Sequence, residues 1–169
     1  DELIFEEKSD AFTVGINLSA DEKYFFITTS DHNTSEQYFF PVNEQKPNPK
    51  LIKKRKKGII YSLNSWDNYF YCHTNENAED FKIERCKDLL NQNWEIYIAP
   101  KNEVLIGGLT FLDNWIIRAE KSNALGKLFV KNINSEIEEE LNFSDEKVIV
   151  PGVSLIQRDK NTDLVYLSY

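Results

Sequence analysis

Five consecutive cations, Lys53-Lys54-Arg55-Lys56-Lys57, form the most conspicuous charged run in the chain. Such a run has the chemistry of a phosphate or nucleic-acid patch. This one has no interleaved aromatic residue, and it sits in a chain of net charge −8. It therefore reads as a solvated outer strand whose lysines discourage edge pairing. Glu136, Glu138, Glu139 and Glu140 are the acidic counterpart. A calcium loop needs alternating carboxylates around a Gly turn. That Gly is missing here, so the run reads as solvated surface.

The other reactive side chains are sparse. His32 and His73 are the only histidines. His73 has Glu76 nearby in sequence, but two histidines do not make a metal site or an acid–base pair, and His73 reads as the cap of a strand end. Serine catalysis needs a Ser on a strand-to-helix elbow with a His and a carboxylate. The nearest approach is Gly152-Val153-Ser154, which lacks the second Gly and a following helix. Gly107-Gly108 stands alone and is no phosphate loop. Cys72 and Cys86 have no zinc spacing and are too few for a disulfide framework, so they read as reduced packing residues. Asn17, Asn33 and Asn142 begin Asn-X-Ser/Thr triplets that read as chance matches in an Asn-rich chain. No catalytic, cofactor-binding or metal-binding residue is assigned, and no cofactor is expected.

The elements that would position any site are strands. In 169 residues, 41% are hydrophobic, 13% aromatic and none Met, a composition that favours packed β structure over a helical bundle. The pI near 4.9 argues against a nucleic-acid partner. No apolar run approaches the roughly 20 residues of a membrane-spanning helix, and the opening Asp-Glu-Leu-Ile-Phe-Glu-Glu has no signal-peptide pattern. The expectation is a cytoplasmic protein without membrane partners. Asp1 in place of an initiating Met is expected of a piece of a longer chain.

The central stretch from Ile59 to Cys86 contains three short strands in a row: Ile59 to Leu63, Tyr69 to His73 and Phe81 to Cys86. Turn-forming Asn64, Asp67 and Asn68 separate the first two, and a fourth strand is Trp94 to Ile98. Upstream, Leu3 to Glu7 reads as the last strand of a preceding element. Phe12, Val14, Ile16 and Leu18 alternate as a half-buried strand. Tyr24 to Ile27 suits an inner strand covered on both faces, and Tyr38 to Phe40 follows. Downstream, Val104 to Thr110 holds Gly107-Gly108, a pair that predicts a bulge or a close backbone approach. Trp115 to Ile117, Leu128 to Val130, Ile137 to Leu141, Val148 to Val150 and Leu164 to Tyr166 complete the strands, with Lys121 to Gly126 as a turn.

A repeat organises them. The second strand of each unit opens on Tyr24, Tyr69, Trp115 and Leu164, at intervals of 45, 46 and 49 residues. Four antiparallel strands in about 45 residues is the size of a propeller blade. The fold class expected is all-β: a partial propeller of about three and a half four-stranded blades, open rather than closed. Residues 1–169 then form a single fragment. Its blades run over 11–57, 58–103 and 104–147, with the start of another at 148–169 and a strand of a preceding blade at 1–8. A single irregular β-sandwich is the rival reading. Open ends of such an array expose strand edges and predict self-association.

The order of segments also resembles a known family. Leu3-Ile4-Phe5-Glu6-Glu7-Lys8-Ser9-Asp10 is similar to an "LIYEEKDD" segment of the oligopeptidase B branch of the prolyl oligopeptidase family of serine peptidases. Tyr61-Ser62-Leu63, Phe70-Tyr71, Thr74-Asn75, Ala78 and Phe81 resemble that branch's "YSLDH…FY…SN…NF" blade. Trp94-Glu95, Ile98-Ala99-Pro100 and Phe111 to Trp115 continue in register. The resemblance implies a seven-bladed propeller paired with an α/β-hydrolase domain that holds a Ser–Asp–His triad. It also implies cleavage of short peptides after Arg or Lys. The hydrolase domain would be a partner within the same polypeptide, and short basic peptides would be the substrates of the intact enzyme. None of the triad residues maps onto a position here, so this stretch alone is expected to be catalytically silent. The alternative class is a non-enzymatic propeller that binds a protein or peptide.

Overall fold

The computed structural model describes residues 2–142, 152–155 and 161–168. The chain divides into two compact units, Asp1–Ala99 and Pro100–Tyr169. The described elements are strands, with no helix among them.

The first unit holds two sheets. β1 (Thr13–Leu18), β2 (Tyr24–Ser30), β3 (Ser35–Pro41) and β4 (Lys50–Lys53) form one antiparallel meander, paired in that order. β5 (Tyr61–Trp66), β6 (Tyr69–Thr74), β7 (Lys82–Cys86) and β8 (Glu95–Ile98) form the second. Phe26, Phe39 and Ile52 of the first sheet meet Leu63, Phe70, Cys72 and Cys86 of the second in one core, with Tyr24 and Trp94 packed against it. A polar seam runs beside this apolar contact. The Ser35 hydroxyl donates to the Tyr61 carbonyl at 2.8 Å and accepts from the Tyr61 N–H at 2.7 Å. The Ser65 hydroxyl donates to buried Asp21 at 2.8 Å, and the Ala20 N–H to Asn64 Oδ1 at 2.7 Å. These buried polar groups thus find partners across the junction, as burial requires.

The second unit holds β9 (Leu105–Phe111), β10 (Trp115–Ser122), β11 (Leu125–Asn132) and β12 (Glu138–Glu140), again a four-stranded antiparallel meander, and the hairpin β13 (Gly152–Leu155) and β14 (Val165–Ser168). Leu112, Ile117 and Leu128 form its core, with Val130, Leu141, Val165 and Leu167 against them. Four-stranded meanders that do not close on themselves are the pattern of a partial, open propeller.

Tyr24, Tyr69 and Trp115 open β2, β6 and β10, the second strand of each sheet, and Leu164 immediately precedes β14. Several elements differ from expectation. β5 continues through Asn64 to Trp66, and the turn is the pair Asp67-Asn68, with φ of 47° and 61°. Two successive left-handed residues make the tight hairpin turn whose twist matches its strands. Likewise β10 runs to Ser122 and turns on Asn123-Ala124 alone. β1 is a strand but is exposed along its whole length, not half-buried. Val14, Ile16 and Leu18 lie opposite Thr29, Ile27 and Phe25 at the sheet edge, and no described element covers them there. Residues 2–8 lie outside any described strand. The Phe5 ring packs 4.7 Å from that of Tyr38. The expected strand Val148 to Val150 lies outside the described residues.

Candidate functional site

The charged runs are the natural place to seek chemistry, and both prove to be partly structural. β4 ends at Lys53, so the rest of the basic run is not the outer strand expected of it. Lys53 is half-buried, with its ammonium 3.9 Å from Glu76, 3.8 Å from Glu84 and 4.9 Å from the centre of the Trp94 ring. Arg55 lies over the Phe12 ring at 4.1 Å. Its backbone N–H donates to Glu36 Oε2 at 2.8 Å, and its guanidinium donates to Glu36 Oε1 at 3.0 Å and to Glu7. Only Lys54, Lys56 and Lys57 are exposed. The carboxylates that draw Lys53 and Arg55 inward come from distant parts of the sequence.

This clamp sets its own electrostatics. The hydrogen bond from Arg55 holds the Glu7 carboxyl below the ordinary carboxylate range. Burial works to raise Glu36, but hydrogen bonds from the Arg55 N–H, the Tyr38 hydroxyl and the Arg55 guanidinium outweigh it and leave Glu36 lowered as well. Burial and the bond to Glu36 push the Tyr38 hydroxyl up to about 12.

A second cluster lies in the other unit. Arg118 is 3% exposed, with its guanidinium 4.3 Å from the centre of the Phe129 ring. It donates to Glu138 at 2.6 Å and contacts Glu120, which also accepts from Lys101 at 2.5 Å. Burial, then the charge of Arg118, lowers the Lys101 pKa. Glu138–Glu140 do form an exposed strand, yet Glu138 completes this cluster and Glu140 lies 3.1 Å from Lys127. Sequence reading missed Arg118 and Glu120. Their alternation with Ile117 and Ala119 was the available signal, obscured because buried charges imitate a solvated turn. In both clusters the cations are paired with carboxylates and serve packing.

The remaining candidates do not converge. The His73 ring stacks on Phe81 at 4.6 Å in the penultimate position of β6, while Glu76 lies against Lys53 and Lys56. Gly152-Val153-Ser154 lies in β13, paired antiparallel with β14, so it is no strand-to-helix elbow. Cys72 and Cys86 are buried free thiols. Among the described residues no group of three or more His, Cys, Asp or Glu is placed to hold a metal, and no helix is long and apolar enough to cross a membrane. The second unit has an apolar cavity of ≈490 Å³ between its sheet and the β13–β14 hairpin, lined by Trp115, Ile117, Val130, Ile137 and Val165. Ser135, Glu139 and Asp163 also line it, but among the described residues no histidine stands beside the Ser135 hydroxyl to activate it.

What these blades belong to is answered by comparison. Residues 1–169 match the model of the prolyl oligopeptidase N-terminal β-propeller domain. The chain is 37% identical over 132 residues to Protease 2 of Moraxella lacunata, covering 77% of this chain and 19% of that protein. It is 26% identical over 172 residues to dipeptidyl aminopeptidase BI of Pseudoxanthomonas mexicana, covering all of this chain and 23% of that one. Among solved structures, the closed form of oligopeptidase B from Trypanosoma brucei, with covalently bound antipain, superposes with a TM-score of 0.85 at 19% identity, over 96% of this chain and 24% of that one. The chain thus spans about a fifth to a quarter of the length of these relatives. With its four-stranded meanders and this match along all 169 residues, the chain belongs to the prolyl oligopeptidase family, within its N-terminal β-propeller domain.

Proposed function

We propose that this chain is the propeller part of a serine oligopeptidase that cleaves short peptides after Arg or Lys. In this reading the blades gate access to an α/β-hydrolase domain elsewhere in the same polypeptide. The observation that carries the proposal is the family match over residues 1–169, joined to 37% identity with a protein named Protease 2. The sequence resemblance to the oligopeptidase B branch supplies the preference for basic residues. A net charge of −8 favours the approach of cationic peptides. The propeller's part is to admit short flexible chains and exclude folded proteins, with opening and closing of the domains governing entry. The protein works in the cytoplasm, and exposed strand edges such as β1 give the isolated propeller segment a tendency to self-associate.

The test uses the intact protein as the cell makes it, captured with an antibody to this segment. A mass several times the 19.8 kDa of this chain, labelling by a serine-directed probe and release of a reporter after Arg or Lys are the expected results. Cleavage after Pro alone would remove the basic specificity. No probe labelling would leave the non-enzymatic scaffold. Gating is tested separately. If exposed propeller carboxylates steer cationic peptides, neutralising them flattens the salt dependence of kcat/KM; an unchanged dependence removes that role.

A further inference from the structure

The second sheet carries a polar notch that the peptidase reading does not use. It lies where the start of β6, the end of β7 and the loop from Lys87 to Trp94 meet. Its cavity measures ≈380 Å³, and its lining includes Tyr69, Arg85, Lys87, Asp88, Asn93 and Glu95. That volume falls in the range of roughly 300–1,000 Å³ typical of ligand pockets.

The wall of the notch is pinned. Leu89, 3% exposed, anchors the loop in the core. The Gln92 N–H donates to the Asp88 carbonyl at 2.9 Å, and the Gln92 side-chain amide donates to the Ile52 carbonyl at 2.7 Å. Collapse of the loop into the notch would break these bonds.

Most of the lining charge is already matched. Arg85 donates to Glu95 at 2.6 Å and lies 4.4 Å from the Tyr69 ring centre and 5.0 Å from that of Tyr97. The two oxygens of Asp88 accept from the Leu90 N–H at 2.8 Å and from the Asn91 amide at 2.5 Å. Three donors on the lining remain without a hydrogen-bonding partner among the described residues: the Lys87 ammonium, the Tyr69 hydroxyl and the Asn93 amide. The ammonium lies 5.1 Å from the Tyr69 ring centre, so two of the three donor side chains are already neighbours.

We propose that this notch binds the terminal carboxylate of a short peptide. An ammonium, a hydroxyl and an amide are the donor set for a carboxylate's two oxygens. Arg85, Lys87, Asp88 and Glu95 sum to zero charge, which suits a ligand that carries its own compensating ammonium. A phosphate would bring about two negative charges to a lining that already holds two carboxylates, and is disfavoured. The inference does not rest on the peptidase reading, since it needs no nucleophile.

The test is amine-specific footprinting of the full-length protein after treatment with a serine-directed reagent, which prevents hydrolysis of the probe. The acylation rate of Lys87 is read by peptide mass spectrometry. With Ala-Ala-Ala at about 10 mM, well above a millimolar Kd, Lys87 labelling slows at least about five-fold while exposed Lys54 and Lys57 are unaffected. The tripeptide's C-terminal amide and inorganic phosphate give no protection. Asn93→Ala and Tyr69→Phe each raise the half-protecting concentration about five-fold, the effect of one lost hydrogen bond. Equal protection by the amide or by phosphate, no protection by the free acid, or unchanged half-protection in both variants overturns the proposal.

Discussion

The Tyr61 hydroxyl, which belongs to the second sheet, accepts a 2.8 Å hydrogen bond from the backbone N–H of Gln37 in the first. That N–H is available because the β3–β4 register shifts between Gln37 and Tyr38. The same hydroxyl donates to the Lys53 carbonyl at 2.5 Å and accepts from the Lys53 N–H at 3.3 Å. Gln37 reciprocates, its side-chain oxygen accepting from the Leu63 N–H at 2.8 Å. One blade's irregularity is thus filled by a side chain of the next, and the bulge specifies which tyrosine fits.

Tyr61→Phe keeps the ring and removes the filler. Three backbone groups at the Gln37–Lys53 irregularity lose a partner, one or more of them out of reach of water. Unsatisfied buried groups cost about 1–3 kcal/mol. The expected result is a lower urea midpoint with an unchanged m-value. A loss below about 0.5 kcal/mol would mean that water replaces the hydroxyl without penalty.

Cys72 and Cys86 are diagonal neighbours on β6 and β7, since Cys86 pairs with Phe70 and Cys72 with Glu84. Burial pushes the Cys72 thiol up to about 12 and the Cys86 thiol up to about 11. Thiolate is the reactive form, so both should resist a disulfide-exchange reagent at pH 8 and react together once urea unfolds the sheet. Rapid labelling of either in the native protein would contradict the packing.

The repeat spacing is legible in the sequence because each second strand lies inside its sheet and opens on a large apolar residue: Tyr24, Tyr69 and Trp115. Strand ends are less legible, for two physical reasons. Buried charges such as Arg118 and Glu120 look solvated until their partners are known. An alternating strand such as β1 looks half-buried, although burial depends on what covers its face and periodicity reports only the face. The inward turn of Lys53 and Arg55 was illegible for a related reason. Glu7, Glu36, Glu76 and Glu84 lie 19 to 48 residues from Arg55 or are separated from Lys53 by other strands.

The Glu7–Arg55–Glu36 clamp predicts an acid-sensitive N-terminal segment. Both carboxyls are lowered in the folded state. Their contribution is therefore fully present above the unfolded carboxylate value of about 4.3 and is lost as pH falls through the lowered folded values. Ser9, whose N–H donates to Glu7 at 3.0 Å, and Phe12, whose ring lies against Arg55, should become mobile as the pH falls through those lowered values while the sheets persist. Backbone amide NMR or hydrogen exchange of residues 7–12, corrected for intrinsic pH dependence, checks this. In Glu7→Gln the segment should already be mobile at pH 7, and its acid transition should shrink. A segment as well ordered in Glu7→Gln as in the unaltered protein at pH 7 would show that Phe5 and Phe12 hold it without the ions.

Gly107 and Gly108 allow the sharpest local test. Leu109 pairs with Arg118 and Ile106 with Glu120, so both glycines face the single residue Ala119. That is a β-bulge, as the paired glycines predicted. The two are nonetheless unequal. A Cβ on Gly107 would lie 2.9 Å from the Ala119 carbonyl oxygen and 3.3 Å from its Cβ, whereas one on Gly108 would meet nothing within 4 Å. The contact at Gly107 is with backbone, which cannot rotate away, so β9 and β10 must separate or the bulge must migrate. Gly107→Ala should therefore destabilise the second unit by about 1–3 kcal/mol, the usual range for overpacking. Gly108→Ala should change stability by no more than about 0.5 kcal/mol. Comparing the two variants cancels what any Gly→Ala change does to the unfolded chain. Equal effects would mean that the bulge shifts freely along the strand, and that the burial of Arg118 and Glu120 beside it does not fix the register.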